Sequence, residues 1–473
     1  MKRVLLAMSI TWGAVCGGCE PLPSASPPQF TPAGDPRDVL LITVDTLRSD
    51  HLGAYGYARE TSPNIDALAA RGTLFESAYT YWPKTRASFV MMLTGRTPAA
   101  NGFSNEHPQL LDFNPTLAQS LKDAGYITAA AVDNPNVASD LGYAKGFDEY
   151  IETWEDASLA SEMERTAAIT AFAQERLSQA RSQPLFLWLH YVNPHTPYEP
   201  PTPYDTQFVV DDPSEPDLPV VEGMRGGIPQ QWVLGEERRL GYYISQYDGE
   251  IATVDREIGR VLAALAASSE AENTVIVLTS DHGESLGEHD YYFDHGADVF
   301  EPSLAVPMIV VLPEATGPSR SAQPVSTLDV LPTILDAVKV SFPAELGGSS
   351  MLPYLAGTQL RARRLFAQND LHFRATWDDR FKLVVEPDGE KRERHSLYDR
   401  RADPAEEHNL RRESADAYRE QRTALEAFFE AEHTRRLSLE ERLAGGGRGA
   451  SPRLSDDACR RLAALGYVTG NCE

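Results

Sequence analysis

The sequence predicts an α/β protein with a large mixed, mostly parallel sheet flanked by helices, and a smaller C-terminal domain of antiparallel sheet plus helix. Continuous apolar runs, as expected of strands buried on both faces of a parallel sheet, alternate with helical stretches. Polar residues begin where these runs end, which is where open α/β sheets bind ligands. A Pro- and Gly-rich stretch at 343–357 indicates a domain boundary, so we expect domains at 37–345 and 346–473.

The composition is that of a soluble globular protein with room for two domains. The 473 residues are 42% hydrophobic and 24% charged, and the formal net charge is −26 at pH 7. Such an acidic chain is not expected to bind nucleic acid, because it has no broad cationic surface to offer. An anionic substrate would need a local cation, supplied by a metal ion or by clustered Arg and Lys side chains.

Residues 1–19 have the pattern of a signal peptide. Basic residues precede an apolar run at 4–15 that is too short to span a bilayer as a mature helix. The run leads into Cys16-Gly17-Gly18-Cys19, which resembles a bacterial lipoprotein signal ending at Cys19; an ordinary secretory signal is the alternative. The Pro-rich residues 20–36 are expected to form a tether. We therefore expect an extracytoplasmic protein of the bacterial cell envelope, anchored by lipid.

The four cysteines lie at the two ends of the chain. Two belong to the signal, and Cys459 and Cys472 could pair with each other in an oxidising compartment. The region between them holds no Cys, so neither a zinc–thiolate site nor a Cys nucleophile can be built there.

The first predicted strand, 39–44, brings Asp45 to its carboxyl end. An Asp in this position either caps the following turn or offers a hard oxygen to a metal ion. The next helix is predicted to begin at Pro63 and to end before Gly72.

A buried helix is predicted within 85–95, with Thr85 near its start. A hydroxyl in this place most often caps the helix, but it can also be a nucleophile, because the helix dipole favours an anion there. Lys84 and Arg86 flank Thr85 and add positive charge. Residue types alone leave the cap and the nucleophile both open.

The middle of the chain continues the alternation of helix and strand. The predicted elements are, in order, a helix at 114–122, a strand at 127–132, a helix at 163–183 and a strand at 185–189. The last strand delivers His190 and then a Pro-containing loop with His195, which is either structural or catalytic. A surface excursion at 204–231 precedes a long amphipathic helix at 240–267, whose Asp248 and Asp255 are expected to be solvated or salt-bridged.

The stretch 279–296 holds the densest group of ligand-type side chains, and three of the chain's 11 histidines fall within it. It follows a predicted strand at 273–278. Its candidate residues are Asp281, His282, His289 and His295. Such clusters usually mark metal or catalytic sites. Since Asp45 also follows a strand, we expect Asp45, Asp281 and His282 to bind a metal ion together.

The remaining elements complete the two domains. A strand at 308–312 and a helix at 327–338 end the first domain. Short alternating segments at 365–398 predict a small antiparallel sheet, and a charged helix follows at 412–436.

These landmarks together resemble the sulfatase family, within the alkaline phosphatase superfamily. The stretches that carry the resemblance are VDTLRSDHLGAYGY at 44–57, SPNIDALAARG at 62–72, LTGR at 93–96, LHYVNPHTPYEPP at 189–201, SDHGESLGEHD at 280–290, LYDRRADPAEEHNL at 397–410 and LAALGYV at 462–468. They run in family order over almost the whole mature chain. The resemblance implies a large mixed sheet between helices and a small domain with a four-stranded antiparallel sheet and a helix.

The resemblance also implies roles for the candidate residues. The implied ligands of a divalent metal ion are Asp45, Asp281 and His282. The groups implied to contact the charged ester and the leaving oxygen are His195 and either His289 or His295. Lys84 and Arg86, beside the nucleophile position, could supply positive charge to an anionic substrate.

The chain departs from the family pattern at the nucleophile. Thr85 stands where the family has the Cys or Ser that becomes formylglycine, and the motif's Pro and Arg are replaced by Ala87 and Phe89. The second metal-binding Asp of many members is Thr46 here. Formylglycine cannot be made from Thr, so we expect none. Thr nucleophiles serve the phosphotransferase and phosphodiesterase relatives of the superfamily, which makes the Thr85 hydroxyl the expected nucleophile.

The leading hypothesis is a metal-dependent hydrolase or transferase of sulfate or phosphate esters, with phosphoryl chemistry slightly favoured. One divalent cation is expected. Because imidazole suits borderline metals, Mn²⁺ or Zn²⁺ is favoured, and Ca²⁺ is the alternative. The competing hypothesis is a pseudoenzyme, an envelope lipoprotein that keeps the fold for binding but has no turnover.

Overall fold

The computed structural model describes residues 37–210, 212–313, 319–343, 345–355, 363–389, 392–444 and 455–465. The predicted signal and tether, residues 1–36, lie outside these ranges, as does Cys472. Among the described helices, none combines the length and the apolar character needed to cross a membrane.

The strands in the described residues are numbered in chain order. They are β1 (Asp38–Val44), β2 (Thr73–Phe75), β3 (Ala78–Tyr79), β4 (Ile127–Val132), β5 (Glu149–Glu152), β6 (Leu185–Tyr191), β7 (Val220–Val221), β8 (Ile228–Pro229), β9 (Thr274–Ser280), β10 (Ser285–Leu286), β11 (Tyr292–Asp294), β12 (Met308–Val311), β13 (Ser319–Ser321), β14 (Val325–Ser326), β15 (Leu365–Gln368), β16 (Arg374–Trp377), β17 (Phe381–Pro387) and β18 (Glu393–Asp399).

The α-helices are numbered in the same way. They are α1 (Pro63–Ala69), α2 (Thr85–Thr94), α3 (Pro98–Asn101), α4 (Leu117–Asp123), α5 (Glu162–Ser178), α6 (Tyr204–Gln207), α7 (Leu240–Ala267), α8 (Glu301–Leu304), α9 (Val330–Ala337), α10 (Leu352–Leu355), α11 (Ala415–Ala444) and α12 (Asp456–Ala464).

The large sheet has eight strands among the described residues, in the order β13-β2-β12-β9-β1-β6-β4-β5. The strands from β9 to β5 are all parallel, whereas β12 runs antiparallel to both β9 and β2. The predicted mixed, mostly parallel sheet is therefore confirmed. Val44, near the end of β1, lies opposite Tyr191 of β6 and Ser280 of β9, so the carboxyl ends of these three strands lie level with one another.

Both faces of the sheet are buried, which explains the continuous apolar runs. Along β1, Val39 and Leu41 belong to the core that contains α2 and α9, whereas Leu40, Ile42 and Val44 belong to the core on the opposite face. Helix α7 contributes to the second core through apolar residues spaced three or four positions apart. These are Ile251, Val254, Ile258, Val261 and Leu265.

The smaller domain is a four-stranded antiparallel sheet, β15-β16-β17-β18, covered by α11. This confirms the predicted antiparallel sheet plus helix. The last described helix, α12, instead packs against the large domain, beside residues 135–137 and 153–155. Cys459 on α12 forms a disulfide bond, and its expected partner Cys472 lies outside the described residues.

Two expectations on the long helix have different outcomes. Asp248 is salt-bridged as expected, since Arg59 Nη1 lies 2.7 Å from its Oδ2, although the carboxylate is fully buried. The expectation for Asp255 is wrong. Its buried carboxylate accepts hydrogen bonds from the backbone N–H groups of Asn64 and Ile65, at 3.1 and 2.8 Å, and so caps the start of α1. A helix end buried in the domain needs such an acceptor, which a single helical pattern does not reveal.

Candidate active site

Three predicted ligands meet at the carboxyl ends of β1 and β9. Asp45, Asp281 and His282 are fully buried, and one ligand atom of each lies within 4.8 Å of the others. His282 Nε2 lies 3.3 Å from Asp281 Oδ2 and 3.7 Å from Asp45 Oδ1. The level strand ends bring these side chains together.

The chemistry of this group fits a divalent cation. Asp45 Oδ1 and Asp281 Oδ2 are buried and have no hydrogen-bond partner among the described residues. Buried carboxylate oxygens without partners are costly unless a cation binds them. His282 Nδ1 lies 3.0 Å from the carbonyl oxygen of Gly283, which assigns the ring proton to Nδ1 and makes Nε2 the ligand atom.

The two carboxyl groups have pKa values displaced in opposite directions. Burial raises the pKa of Asp281 to about 6, and the neighbouring charge of Asp45 adds to this rise. Burial also acts to raise the pKa of Asp45, but the interaction with His190, whose Nε2 lies 3.7 Å from Oδ2, and with the other surrounding imidazoles brings it down to about 2. Two like charges this close repel each other, so a cation between them would favour ionisation of both.

Thr85 lies beside this group. Lys84 occupies the N-cap position of α2, so Thr85 is the first helical residue rather than its cap. Its Oγ1 lies 3.2 Å from His282 Nε2. The first turn of α2 is held to the end of β9, because Ser88 Oγ donates to the carbonyl oxygen of Asp281 at 2.7 Å. This contact fixes the distance between Thr85 and the ligand group.

Two further histidines line the same site. The rings of His282 and His295 have centroids 4.2 Å apart, and the rings of His195 and His295 are 5.0 Å apart. His195 Nδ1 lies 2.6 Å from the Thr196 carbonyl oxygen, and His295 Nδ1 lies 3.1 Å from Glu284 Oε1. The Thr196 carbonyl oxygen can only accept, so the proton of His195 is on Nδ1 and Nε2 is the basic nitrogen of that ring.

The environment keeps both rings neutral at pH 7. Burial lowers the pKa of His195, even though the charge of Asp45 opposes this shift. Burial lowers the pKa of His295 well below its ordinary value, and the nearby His282 and His195 add to the effect.

His289 is placed elsewhere. Its ring stacks on Phe300 with centroids 3.7 Å apart, in a cavity lined also by Glu386 and Arg394 of the small domain. The backbone at His289 adopts a left-handed φ of 52°. The loop turns there, and the side chains of His289 and His295 contact different neighbours. Of the two alternatives left by the sequence, the contacts place His295, and not His289, beside His282.

The flanking cations Lys84 and Arg86 are both engaged with other side chains. Lys84 Nζ lies 2.5 Å from Asp370 Oδ2, and the Lys84 side chain is 42% exposed. Arg86 Nε donates to Asn136 Oδ1 at 2.8 Å. Lys84 therefore lies at the rim of the site, whereas Thr85 is buried.

Sequence reasoning missed two residues that contact Asp45. Asn134 Nδ2 donates to Asp45 Oδ2 at 2.6 Å, and His190 Nε2 lies 3.7 Å from the same oxygen. Asn134 is the second residue after β4, and His190 is the second-to-last residue of β6. The strand-end rule that identified Asp45 would have found both residues. Thr46, which stands where many family members have a second metal-binding Asp, has a φ of 53° and a buried hydroxyl without a hydrogen-bond partner among the described residues.

Level strand ends thus bring buried Asp and His side chains, which could hold a metal ion, beside a hydroxyl at the start of a helix, as the resemblance to the sulfatase family implies. The chain belongs to the sulfatase family, because the model of that family matches residues 37–340. A second model, described as "N-sulphoglucosamine sulphohydrolase, C-terminal", matches residues 287–432.

Individual relatives are distant. The chain is 27% identical to mouse iduronate 2-sulfatase, over 67% of this chain and 66% of that protein, and so spans just under two thirds of its length. It is 25% identical to an arylsulfatase of Clostridium perfringens, over 79% of this chain and 90% of that protein. The crystal structure of the phosphonate monoester hydrolase of Agrobacterium radiobacter superposes with a TM-score of 0.69 at 22% identity, covering 83% of this chain and 95% of that one.

Proposed function

We propose that the protein hydrolyses phosphate or sulfate esters with Thr85 as the nucleophile, and that phosphoryl chemistry is favoured. The observation that carries the proposal is the position of Thr85 Oγ1, 3.2 Å from His282 Nε2 in the buried ligand group. The similarity to both sulfatases and a phosphonate monoester hydrolase is compatible with either ester.

A divalent cation would be held by Asp45, Asp281 and His282. When bound there, such an ion would supply Lewis acidity, lower the pKa of a hydroxyl and offset the charge of the ester. The imidazole ligand favours Mn²⁺ or Zn²⁺, whereas the two carboxylates make Ca²⁺ the alternative.

The chain's own groups supply the rest of the reaction. Thr85 Oγ forms a bond to phosphorus as the bond from phosphorus to the alcohol oxygen breaks. The hydroxyl proton passes to a neutral histidine, His195 or His295, and from there to the departing alkoxide. In a second displacement the oxygen of water forms a bond to phosphorus as the bond from phosphorus to Thr85 Oγ breaks, and the proton of water passes through the same histidine to Thr85 Oγ, so that phosphate is released; an alcohol in place of water would make the protein a transferase.

The preference for phosphorus follows from the identity of the nucleophile. A formylglycine hydrate can expel sulfate by collapsing to the aldehyde, but a Thr adduct must be cleaved by a second in-line displacement. Phosphoryl transfer passes through a loose transition state whose charge nearby dipoles and cations stabilise. Here these are the N-terminus of the ten-residue helix α2, where Thr85 lies, and Lys84 at the rim.

A large cavity beside the site could receive the alcohol part of the ester. It has a volume of about 1210 Å³ and lies between the two domains, with Trp82, Asn369 and Asp370 among its lining residues. Asp370 binds Lys84, and Asn369 Nδ2 donates to the carbonyl oxygen of Gly296 at 3.0 Å, next to His295. These contacts link the cavity wall to the reactive groups.

The test is turnover of matched aryl phosphate and aryl sulfate esters by the purified full chain. We expect a bound divalent cation, loss of turnover on chelation with return on adding Mn²⁺ or Zn²⁺, and faster cleavage of the phosphate. Faster cleavage of the sulfate would overturn the preference for phosphorus. A protein without metal and without turnover would instead be the binding lipoprotein of the competing hypothesis.

A further inference from the structure

The C-terminal helix α12 returns to the large domain and docks close to the candidate site. Its apolar face is formed by Ala458 and Leu462, which lie four positions apart and are buried. Ser455 caps its start by accepting a hydrogen bond from the Ala458 N–H at 3.0 Å. The docked face brings Arg461 into the interior, where its side chain is only 9% exposed.

Arg461 joins two carboxylates from different elements. Its Nη2 lies 2.8 Å from Glu162 Oε2 at the start of α5 and 3.3 Å from Asp133 Oδ2 just after β4. Asp133 is fully buried and also pairs with Arg165, whose Nε lies 3.0 Å from Oδ1. The buried Asp133 and the half-buried Glu162 are therefore compensated by two arginines, one of which comes from the C-terminal helix.

Each of these two acidic residues is connected to the candidate site through a neighbouring asparagine. Asp133 directly precedes Asn134, whose amide donates to Asp45 Oδ2 at 2.6 Å. Glu162 Oε1 accepts a hydrogen bond from Asn193 Nδ2 at 2.8 Å, two residues before His195. Arg461 thus supports the segment that holds a metal ligand and the segment that holds a neutral histidine.

The same asparagine has a second carboxylate partner, which increases the need for a cation. Asn193 Nδ2 also lies 2.6 Å from Glu250 Oε2, and Glu250 is buried. Without Arg461, Glu162 would lose its cation while still sharing the Asn193 amide with the buried Glu250. Unpaired buried charges are relieved by protonation or by displacement of the chain, and either change would move the asparagine.

We propose that Arg461 is a positioning residue through which the C-terminal helix sets the geometry of the site. It holds Asn134 against Asp45 and holds the Asn193–His195 loop against α5. The effect on turnover rests on the proposed function, but the effect on cation binding can be measured without any turnover.

The experiment compares Arg461→Gln and Arg461→Lys with the matched control Arg460→Gln. Arg460 lies on the same helix, is 71% exposed and pairs only locally with Asp457 in the described contacts. The readouts are the Kd for Mn²⁺ by calorimetry on the metal-stripped full chain, the melting temperature, and kcat and KM for an aryl phosphate.

We expect Arg461→Gln to weaken Mn²⁺ binding about tenfold, at the lower end of effects seen when groups that orient metal ligands are removed. The kcat should fall more than KM rises, because His195 is displaced. Arg461→Lys keeps the charge but cannot bridge two carboxylates with a planar fork, so it should restore part of the affinity. Arg460→Gln should match the wild type in all readouts.

A lower melting temperature with unchanged Mn²⁺ affinity and unchanged kcat would overturn the proposal, since Arg461 would then be structural only. If Arg461→Gln does not fold, the lysine variant decides: weakened Mn²⁺ binding supports the proposal and wild-type affinity overturns it. A wild-type chain that binds Mn²⁺ but cleaves no ester would refute the proposed function and leave the Mn²⁺ comparison valid.

Discussion

At the residue scale, Thr85 separates an enzyme from a binding protein. Thr85→Ser keeps a hydroxyl in the same place and should retain substantial turnover. Thr85→Ala removes the proposed nucleophile and should abolish turnover while lowering the free energy of unfolding by only about 1 kcal/mol, a usual value for a single truncation. Steady-state kinetics and urea unfolding of the two variants measure both effects. Turnover that survives in Thr85→Ala would remove Thr85 from the mechanism.

The two loop histidines allow a second residue-scale prediction. His295→Ala should lower kcat at least about 100-fold, because a positioned acid or base contributes that much or more. His289→Ala should leave kcat within about threefold of the wild type, since its ring stacks on Phe300 outside the site. Kinetics on an aryl phosphate compare the pair, and the reverse order of effects would mean that His289 reaches the substrate.

The candidate site was only partly predictable, for reasons visible at individual residues. Asp45, Asp281 and His282 were found because each follows an apolar strand and carries a ligand atom. Asn134 follows a predicted strand too, but its side-chain amide carries no charge, so the residue type alone does not indicate a metal or catalytic site. The choice between His289 and His295 depends on a left-handed backbone at a residue other than glycine, which no local pattern announces.

At the element scale, the contact between α7 and α1 predicts a pH dependence of stability. Burial raises the pKa of Asp255 from its ordinary value of 3.8 to about 6, against the hydrogen bonds that it accepts from Asn64 and Ile65. Between these pH values the folded state binds more protons than the unfolded state. The contribution of Asp255 to stability is therefore largest at low pH and declines as pH rises through about 6.

Asp255→Asn tests this prediction, because Asn caps helices as well as Asp does and does not titrate. The variant should gain stability relative to the wild type between about pH 4 and about pH 7, by at most about 3 kcal/mol at about 1.4 kcal/mol per pKa unit. Urea unfolding of both proteins at the two pH values measures the difference. A stability difference that does not change with pH would contradict the raised pKa.

The positions of the strands were predicted better than the contacts between distant elements. Strands β1, β4, β6 and β9 were located to within two residues, because burial on both faces leaves a continuous apolar run. The predicted helix at 163–183 instead ends at Ser178, ahead of Pro184 and the strand β6. The direction of β12 and the return of α12 to the large domain depend on contacts between distant parts of the chain, which periodicity does not encode.

At the scale of the whole molecule, a buried ion group joins the two domains. Lys382 of β17 is fully buried, with its Nζ 2.7 Å from Glu406 Oε1 and 3.4 Å from Glu301 Oε2 of the large domain. Glu406 also accepts a hydrogen bond from the Glu301 backbone N–H at 2.8 Å. Because a buried charge that loses its partner is costly, this ion group favours the observed contact between the two domains.

The described chain enters the large domain far from the candidate site. It enters at Arg37, whose Nη1 donates to the carbonyl oxygen of Ala337 at 3.2 Å, and β1 starts at the next residue. The candidate site lies at the opposite end of this strand, which spans roughly 20 Å at 3.3 Å per residue. A tether attached before Arg37 would thus join the domain at the end of β1 that lies away from the site.

We propose that lipid on Cys19 anchors the protein and that the Pro-rich residues 20–36 link this anchor to the large domain. Cys19→Ser should move the protein from the membrane fraction to the soluble fraction, because it removes the acyl chains that give stable binding. Its kcat for a small soluble ester should not change, since the site lies at the far end of β1. Cys16→Ser is the matched control: it alters the other signal cysteine and should leave the protein in the membrane fraction. Membrane fractionation of Cys19→Ser like that of the wild type would show that the anchor, if any, is not at Cys19.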